Sequence, residues 1–85
     1  MPELEVGHVT HYFDRPHVAI VKVIAAEVKV GDQIHIKGAH TDLTETVTSM
    51  EFEHRKIEAA KPGEEFGLQV ADRARTGDKV FKVTP

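Results

Sequence analysis

A seven-residue scheme occurs three times in this chain and constrains its fold more than any other feature. Each copy consists of a small or apolar residue, a base, any residue, Gly, an acid, any residue and an apolar residue. The three copies are residues 28–34, 60–66 and 74–80. Glycine suits the third position of a type II turn, where φ is positive and a Cβ would clash. We therefore predict structural turns at Gly31, Gly63 and Gly77.

The apolar residue three positions after each of these glycines is expected to be the first core residue of a strand. These residues are Ile34, Phe66 and Val80. Three equal turns that each lead into a strand, in one short chain, favour a small β-barrel. The spacings between the glycines, 32 and then 14 residues, are too unequal for a repeat array, so we interpret the turns as parts of one barrel.

Apolar and polar residues alternate with a period of two along most of the chain, as they do in β-strands. The predicted strands are 5–13, 17–24, 33–37, 41–52, 66–70 and 79–83. A turn is expected at 14–16, because Pro16 cannot continue a ladder. No long window has the 3.6-residue period of an amphipathic helix. We expect an all-β chain, a small six- to seven-stranded antiparallel β-barrel that forms a single domain over residues 1–85.

Two of the predicted strands have features that bear on how they pack. On the first strand, one face carries Val9, His11 and Phe13. On the long strand 41–52, Val47 has one parity, whereas Met50 and Phe52 have the other. If all three are core residues, one extra residue near Thr48-Ser49 must form a β-bulge.

The second predicted strand is apolar on both faces from Val18 to Ile24, except at Lys22. In a small barrel, such a strand either packs against something additional or leaves an apolar face uncovered. Gly67 lacks a side chain on the face of its strand that points away from the core. We expect it to permit close approach by another segment or a ligand.

Length and composition limit the class of protein. The chain has 85 residues, 40% of them hydrophobic and 29% charged, as in an ordinary globular protein. It has no cysteine, which excludes disulfides and thiolate metal sites. No run approaches the roughly 20 apolar residues that span a bilayer, and the N-terminus has no signal-peptide pattern. We expect a cytoplasmic protein without a membrane partner.

Six histidines make a metal site an alternative to be weighed. His8 and His11 are three apart, and residues three apart on a strand point to opposite faces. His8, His35 and His54 lie on different segments and could converge, which the sequence does not decide. Zinc sites usually have closer ligand pairs or Cys partners. We favour exposed histidines and expect no metal.

Catalytic motifs are lacking in the sequence. Ser49 is the single serine and has no Gly-x-Ser-x-Gly elbow around it. Glu51 and Glu53 share one strand face, which favours a solvated surface over a buried acid–base pair. There is no Gly-rich phosphate loop for a nucleotide. We therefore expect a chain that is not an enzyme and has no cofactor.

Basic residues are concentrated in the last third of the chain. The net charge is −3, but residues 55–85 hold 7 bases and 5 acids. The candidate RNA-contacting residues are Arg55, Lys56, Arg73, Arg75 and Lys79, with Tyr12 as a stacking platform. They form one patch if segments 53–58 and 71–79 meet at one end of the barrel. Scattered solubilising charge is the alternative, because strong nucleic-acid binding needs clustered bases.

Five short motifs follow one another along the chain. They are Gly7-His8-Val9, 30–34, 47–51, 60–68 and 77–80. Their order resembles the second domain of translational GTPases such as elongation factor Tu, a six- or seven-stranded barrel. A closer likeness is to small stand-alone translation elongation factor-like proteins and to the C-terminal domain of collagenase-like peptidases. The resemblance covers residues 5–83 and includes no GTP-binding domain, so no nucleotide is implied.

The resemblance implies a non-catalytic binding module. In translation factors this barrel contacts the aminoacyl end of tRNA or ribosomal RNA, so RNA or the ribosome is the first expected partner. Where the same barrel is fused to a catalytic domain, it packs on a larger protein. The alternative function is therefore a protein-interaction module that docks on a larger enzyme such as a collagenase-like peptidase.

Overall fold

The computed structural model describes residues 3–14, 17–71 and 73–83, and strands are the regular secondary structure within them. The strands are β1 (Glu3–Phe13), β2 (Val18–Val23), β3 (Val28–Lys29), β4 (Gln33–Lys37), β5 (Asp42–Thr46), β6 (Met50–Phe52), β7 (Arg55–Ile57), β8 (Ala59–Ala60), β9 (Glu65–Gln69) and β10 (Lys79–Val83). The all-β prediction is confirmed. Part of the turn predicted at 14–16 lies outside the described residues. Within those residues, no helix has the length and apolar character needed to cross a bilayer.

Eight strands form one antiparallel sheet in the order β5-β4-β10-β1-β2-β9-β6-β7, and β3 pairs with β8. The sheet is strongly curved. The N–H of Ala71, directly after the β9 region, donates hydrogen bonds to the carboxylate of Glu45 on β5, at 3.1 and 3.3 Å. Because β5 begins the sheet and β9 is well along it, this contact joins distant parts of one curved surface. The architecture is barrel-like, as the sequence predicts.

One hydrophobic core lies inside the curved sheet. Its bulkiest fully buried side chains are Phe66, Ile34, Ile36, Met50 and Leu68. Buried valines and alanines from β1, β2, β3, β8 and β10 complete it, together with Val47, Val70 and Ala74 between strands. The inward faces predicted for β4, β9 and β10 are confirmed, because these strands follow a simple alternation from their first core residue.

All three glycine turns have a positive φ, 98° at Gly31, 93° at Gly63 and 93° at Gly77. In each turn, the N–H of the acid donates to the carbonyl of the base three residues earlier, at 3.0 or 3.1 Å. The carboxylate of the acid in turn accepts the N–H of that base, at 2.7 to 2.9 Å. The pairs are Lys29 with Asp32, Lys61 with Glu64 and Arg75 with Asp78. The acid of the repeated scheme therefore closes its own turn.

Each turn also extends the ladder of the strand that follows it. The glycine N–H donates to the carbonyl of a valine opposite, and the valine N–H donates to the carbonyl of the acid, at 2.7 or 2.8 Å. The valines are Val47, Val23 and Val9 for the turns at Gly31, Gly63 and Gly77. All three valines are buried. The turns are thus fixed against the core and set the starting points of β4, β9 and β10.

The pairing of β1 with β2 shifts register between Val9 and His11. The prediction that Val9, His11 and Phe13 share one face is therefore wrong. Val9 is buried, whereas His11 and Phe13 are exposed and Tyr12 packs against the core. A bulge adds one residue to one strand, and with a side-chain period of two it moves every later side chain to the opposite face.

The long strand predicted at 41–52 is two strands, β5 and β6, separated by residues 47–49. β5 pairs with β4, whereas β6 pairs with β9 and β7. The change of parity is present, but residues 47–49 cause it by connecting two strands that belong to different ladders. The predicted β-bulge at Thr48-Ser49 is therefore wrong. Val47 and Met50 are buried, whereas Phe52 is 47% exposed, so the condition that all three are core residues does not hold.

The hairpin of β6 and β7 ends the sheet, and its turn residues Glu53 and His54 both have positive φ, 51° and 65°. Two consecutive residues with positive φ are typical of the type I′ turn that joins tightly paired strands. The edge strand is short and bears the charged residues Arg55 and Lys56, a common way to prevent further strand pairing.

Candidate binding groove

A groove of about 410 Å³ lies on the outer surface of the sheet, across β1, β2, β9 and β6. This volume is near the lower end of the range of ligand pockets, about 300–1,000 Å³. Gly67 of β9 forms the floor, between Ile20 on β2 and Glu51 on β6. A Cβ at Gly67 would lie 3.2 Å from Cγ1 of Val18 and 3.7 Å from Cδ1 of Ile20. The groove therefore exists because one outward side chain is missing.

Apolar side chains form the walls of this groove. Phe13 on β1 and Phe52 on β6 are each 47% exposed, and Val18 and Ile20 on β2 are half-buried. The His11 ring packs edge-on against Phe13, with ring centroids 4.4 Å apart. The outer face of β2 is thus apolar except at Lys22, in keeping with the pattern of the second predicted strand. Contiguous exposed apolar surface with a polar rim is typical of an interaction site.

The rim of the groove is acidic. Glu51 on β6, Glu53 in the hairpin turn and Glu65 on β9 line it, together with His54. Glu65 Oε2 accepts a hydrogen bond from the Thr10 hydroxyl at 3.1 Å, which fixes this carboxylate at the β1 side. Among the described residues that line the groove, three are carboxylates and none is Lys or Arg.

Sequence reasoning assigned the two aromatic walls wrongly. The alternation put Phe13 on the face of Val9, because it does not include the register shift of β1. Phe52 was considered as a core residue because it has the parity of Met50. The useful signals were elsewhere, in the doubly apolar second strand and in Gly67. Only pairing of β2 with β1 and β9 brings these features together.

The predicted RNA-contacting residues lie on separate segments of the fold. Arg55 and Lys56 are on β7, where Arg55 pairs with Phe52 of β6. Because β6 runs antiparallel to β9, Arg55 lies level with the beginning of β9. Arg73 and Arg75 lie in the loop between β9 and β10, which leads to the Gly77 turn beside Val9. RNA contact by these residues stays a prediction.

Lys79 and Tyr12, also predicted to contact RNA, lie apart from the groove walls. Lys79 begins β10 and is the cross-strand neighbour of Lys37 on β4 and His8 on β1. The Tyr12 hydroxyl is hydrogen-bonded to Nδ1 of His17 at 2.9 Å, and its ring packs against the core. Because that ring is half-buried, only part of it is available for base stacking.

His35 is held between two carboxylates on neighbouring strands. Its Nδ1 lies 2.8 Å from Oε2 of Glu3, and its Nε2 lies 2.5 Å from Oδ1 of Asp42. The hydrogen bond with Asp42 raises the pKa of the imidazole most, burial opposes this, and Glu3 adds to the rise. The cluster links β1 and β5 to β4, and its three residues are not among the described residues that line the groove.

The described residues offer little catalytic or metal-binding geometry. Residues 3–14, 17–71 and 73–83 contain no group of three His, Cys, Asp or Glu side chains placed to hold a metal ion. Ser49 lies in a small hollow lined also by Glu51 and Gln69, with no histidine among its described lining residues. A serine without a neighbouring base lacks the activation that nucleophilic catalysis requires.

No family model matches the chain. An uncharacterized protease of Methanocaldococcus jannaschii is 34% identical over 80 residues, which cover 93% of this chain and 19% of the relative. A collagenase of Porphyromonas gingivalis is 28% identical over 81 residues, which cover 94% of this chain and 20% of the relative. The chain thus spans about a fifth of the length of the curated relatives it matches.

The structural comparison gives the fold. A crystal structure of the C-terminal domain of a Geobacillus thermoleovorans protein assigned to the U32 peptidases superposes with a TM-score of 0.86 at 18% identity, covering 95% of this chain and 93% of that chain. Its selenomethionine variant superposes with a TM-score of 0.82 at 16% identity, covering 89% and 95%. The translation-factor likeness rests on the sequence motifs alone. The chain has the fold of a U32 peptidase C-terminal domain, and its relatives are proteins named as proteases and collagenases.

Proposed function

We propose that this chain is a non-catalytic accessory domain that docks on the catalytic part of a collagenase-like peptidase. Its relatives are about five times longer than the matched region, and the matching crystal structures are of a C-terminal domain. These observations support the protein-docking alternative over the RNA-binding function that the sequence first favoured. The single core supports treating residues 1–85 as one such domain, and a cytoplasmic location stays a prediction.

The observation that carries the proposal is the uncovered apolar groove on the outer face of β2. Phe13 and Phe52 leave nearly half of their surface exposed there, although burying an aromatic side chain contributes about 1.5–3 kcal/mol. Aromatic side chains of this kind are the usual anchors of protein interfaces. A peptidase surface that covers the groove would bury both rings.

A non-catalytic role is supported by the side chains around the candidate nucleophile. Ser49 has Glu51 and Gln69 as polar neighbours in its hollow, and neither supplies the imidazole that serine activation commonly uses. The proposal therefore assigns peptide-bond chemistry to the larger partner and positioning or recognition to this domain.

The test is a binding titration with the catalytic part of the collagenase-like peptidase from the same organism. Wild-type chain is expected to bind with measurable heat, and Phe13→Ser or Phe52→Ser is expected to weaken binding about tenfold or more. Leu4→Ser is the matched control, because Leu4 is 49% exposed on the same strand as Phe13 but outside the groove. Equal affinities for all four proteins would contradict docking through the groove, and no binding by the wild-type chain would contradict docking altogether.

RNA binding is the second candidate function, favoured by one observation. Lys79, Lys37 and His8 lie side by side on three adjacent strands, β10, β4 and β1. If this surface binds RNA, Lys37→Glu and Lys79→Glu will each abolish the low-salt shift of a tRNA fragment, and Phe13→Ser will not. No shift with the wild-type chain at low salt would remove this candidate.

A further inference from the structure

We infer that the groove receives a peptide segment whose apolar side chains are flanked by Lys or Arg. This inference rests on the proposed docking function and names the chemistry of the partner surface. It depends on three features of the groove: its apolar walls, its acidic rim and the position of its floor inside the sheet.

The floor belongs to interior strands, so the occupant is bound by side chains and not by strand addition. β2 pairs with β1 and β9, and β9 pairs with β2 and β6, so their backbone groups are already used. Strand addition needs a free edge. The edge strand β7 lies beside the groove, not beneath it. Recognition therefore falls to Phe13, Phe52 and the side chains of the rim.

Within the part of the chain that the structure describes, no ion pair neutralises the carboxylates of the rim. Lys22 is the cross-strand neighbour of Glu65, and Lys56 is the cross-strand neighbour of Glu51. Neither lysine lines the groove, and no ion pair joins either lysine to its neighbour among the described residues. Glu53 sits at the tip of the hairpin and is exposed. The rim thus presents negative charge to anything that enters the groove.

This charge selects among possible occupants. Phosphate groups of RNA or of anionic lipids would meet three glutamates over an apolar floor, which opposes binding. A second copy of the chain would bring another acidic rim against the first, in a chain whose net charge is already −3. Lys or Arg beside an apolar anchor fits both features at once, because rim charges steer association and anchors supply affinity.

The first experiment uses three synthetic nonapeptides and the isotope-labelled full chain, followed by amide chemical shifts. One peptide combines Leu and Phe with flanking Lys, the second replaces each Lys with Glu, and the third replaces Leu and Phe with Ser. The first is expected to shift the amides of Ile20, Gly67 and Phe52 with a dissociation constant below about 1 mM, and the other two are not. Equal shifts with the acidic peptide overturn the inference. Stronger shifts at these amides with an RNA oligonucleotide, or concentration-dependent dimerisation through them, overturn it as well.

The second experiment reverses the charge of the rim. Glu51→Lys/Glu53→Lys is expected to weaken the basic apolar peptide about tenfold at low salt and less at high salt, because exposed charges are screened. The same variant is expected to gain binding of the acidic peptide. Glu5→Lys/Glu58→Lys is the matched control, because it makes the same change in net charge at exposed positions that do not line the groove. Equal weakening by the control would show a net-charge effect and overturn the inference.

The two proposals fail in different ways. If the peptidase binds the wild-type chain and the rim-reversed chain equally, docking stands and the inference about charge is overturned. If the peptidase does not bind at all while the basic apolar peptide still shifts the groove amides, the docking partner is wrong and the chemistry of the groove is supported.

Discussion

The backbone N–H of Gly77 donates a hydrogen bond to the carbonyl of Val9 at 2.7 Å, and so joins the turn before β10 to the middle of β1. The N–H of Val9 donates back to the carbonyl of Asp78 at 2.8 Å. Because Val9 is buried, this pair of hydrogen bonds fixes the start of β10 against the core. The other two turns hold Val47 and Val23 in the same way.

The turn at Gly77 predicts that the free energy of unfolding falls in the order Gly, Asn, Val at this position. Its φ of 93° is strained for a residue with a Cβ, although a Cβ there would meet no atom within 4 Å. Gly77→Val is expected to lower the free energy of unfolding by about 1–3 kcal/mol through backbone strain alone. Gly77→Asn is expected to lower it less, because Asn tolerates positive φ better. Urea denaturation measures both, and equal stability of the two variants would contradict the assignment.

The contact between Asp78 and Gly38 predicts coupled mutations. A Cβ at Gly38 would overlap the Asp78 carboxylate, which is buried and accepts the N–H of Arg75 at 2.8 Å. Gly38→Ala is expected to lower the free energy of unfolding by about 1–3 kcal/mol by overpacking. In the Asp78→Ala background the loss is expected to be smaller, with a coupling of about 1 kcal/mol or more.

The control for this cycle is Glu64→Ala, which removes the equivalent acid of another turn. Glu64 is exposed and makes the same hydrogen bond, to the N–H of Lys61 at 2.7 Å. Gly38→Ala and Glu64→Ala are expected to be additive, since the two sites do not touch. Coupling of equal size in both cycles would mean that Asp78 is not what confines Gly38.

Features that depend on neighbouring residues in the sequence were predictable. The glycine turns need only four consecutive residues, and β4 keeps its alternation because Ile34 and Ile36 follow directly from a turn. The core faces of β9 and β10 follow for the same reason. In each case the turn sets the parity and no bulge intervenes.

Features that depend on pairing between strands were not predictable. Nothing in the residues of β1 marks the register shift between Val9 and His11, because it is fixed by the partner strand. The end of β5 and the start of β6 as a separate strand likewise depend on pairing, because β5 pairs with β4 and β6 pairs with β9. The groove is a product of both, since the shift exposes Phe13 and the end of β6 exposes Phe52. The sequence shows that the residues of the groove walls are apolar, but it does not show that the fold brings them together.

Thr41 predicts a stabilising substitution. Its hydroxyl is buried and has no hydrogen-bond partner among the described residues. A buried hydroxyl without a partner loses its hydration, and replacing it with a methyl group of similar shape removes that loss. Thr41→Val is expected to raise the free energy of unfolding by about 1 kcal/mol. Thr44→Val, at an exposed position of β5, is the control and is expected to change stability much less. A destabilised Thr41→Val protein would reveal a hydrogen bond at Thr41.

His35 predicts a pH dependence of stability. Its pKa in the folded protein is raised above 6.5, chiefly by the hydrogen bond with Asp42. The stabilisation is therefore fully present below pH 6.5 and is lost as the pH rises through the folded-state pKa. Because the Asp42 side chain is 75% exposed, we expect the contribution to be no more than about 1 kcal/mol.

Two measurements check the role of His35. The imidazole resonances of His35 are expected to titrate at lower pH in Asp42→Asn than in the wild-type chain. The wild-type chain is expected to lose stability relative to His35→Gln between mildly acidic and mildly alkaline pH. If the stability difference between these two proteins is the same at both pH values, the imidazolium is not held by its carboxylates.

Substitutions at Gly67 are expected to change peptidase binding more than the free energy of unfolding, so they test the groove directly. An alanine Cβ would lie 3.2 Å from Val18 Cγ1, so Val18 must move by a few tenths of an ångström to accommodate it. The gain of about 0.5–1 kcal/mol from replacing a strand glycine offsets that contact, so the free energy of unfolding is expected to change by less than about 1 kcal/mol. The methyl group nevertheless occupies the floor between Ile20 and Glu51. Binding of the peptidase, measured by titration beside the Leu4→Ser control, is expected to fall severalfold in Gly67→Ala and further in Gly67→Val. A Gly67→Val protein that remains folded and binds the peptidase as tightly as the wild-type chain would place the docking surface elsewhere.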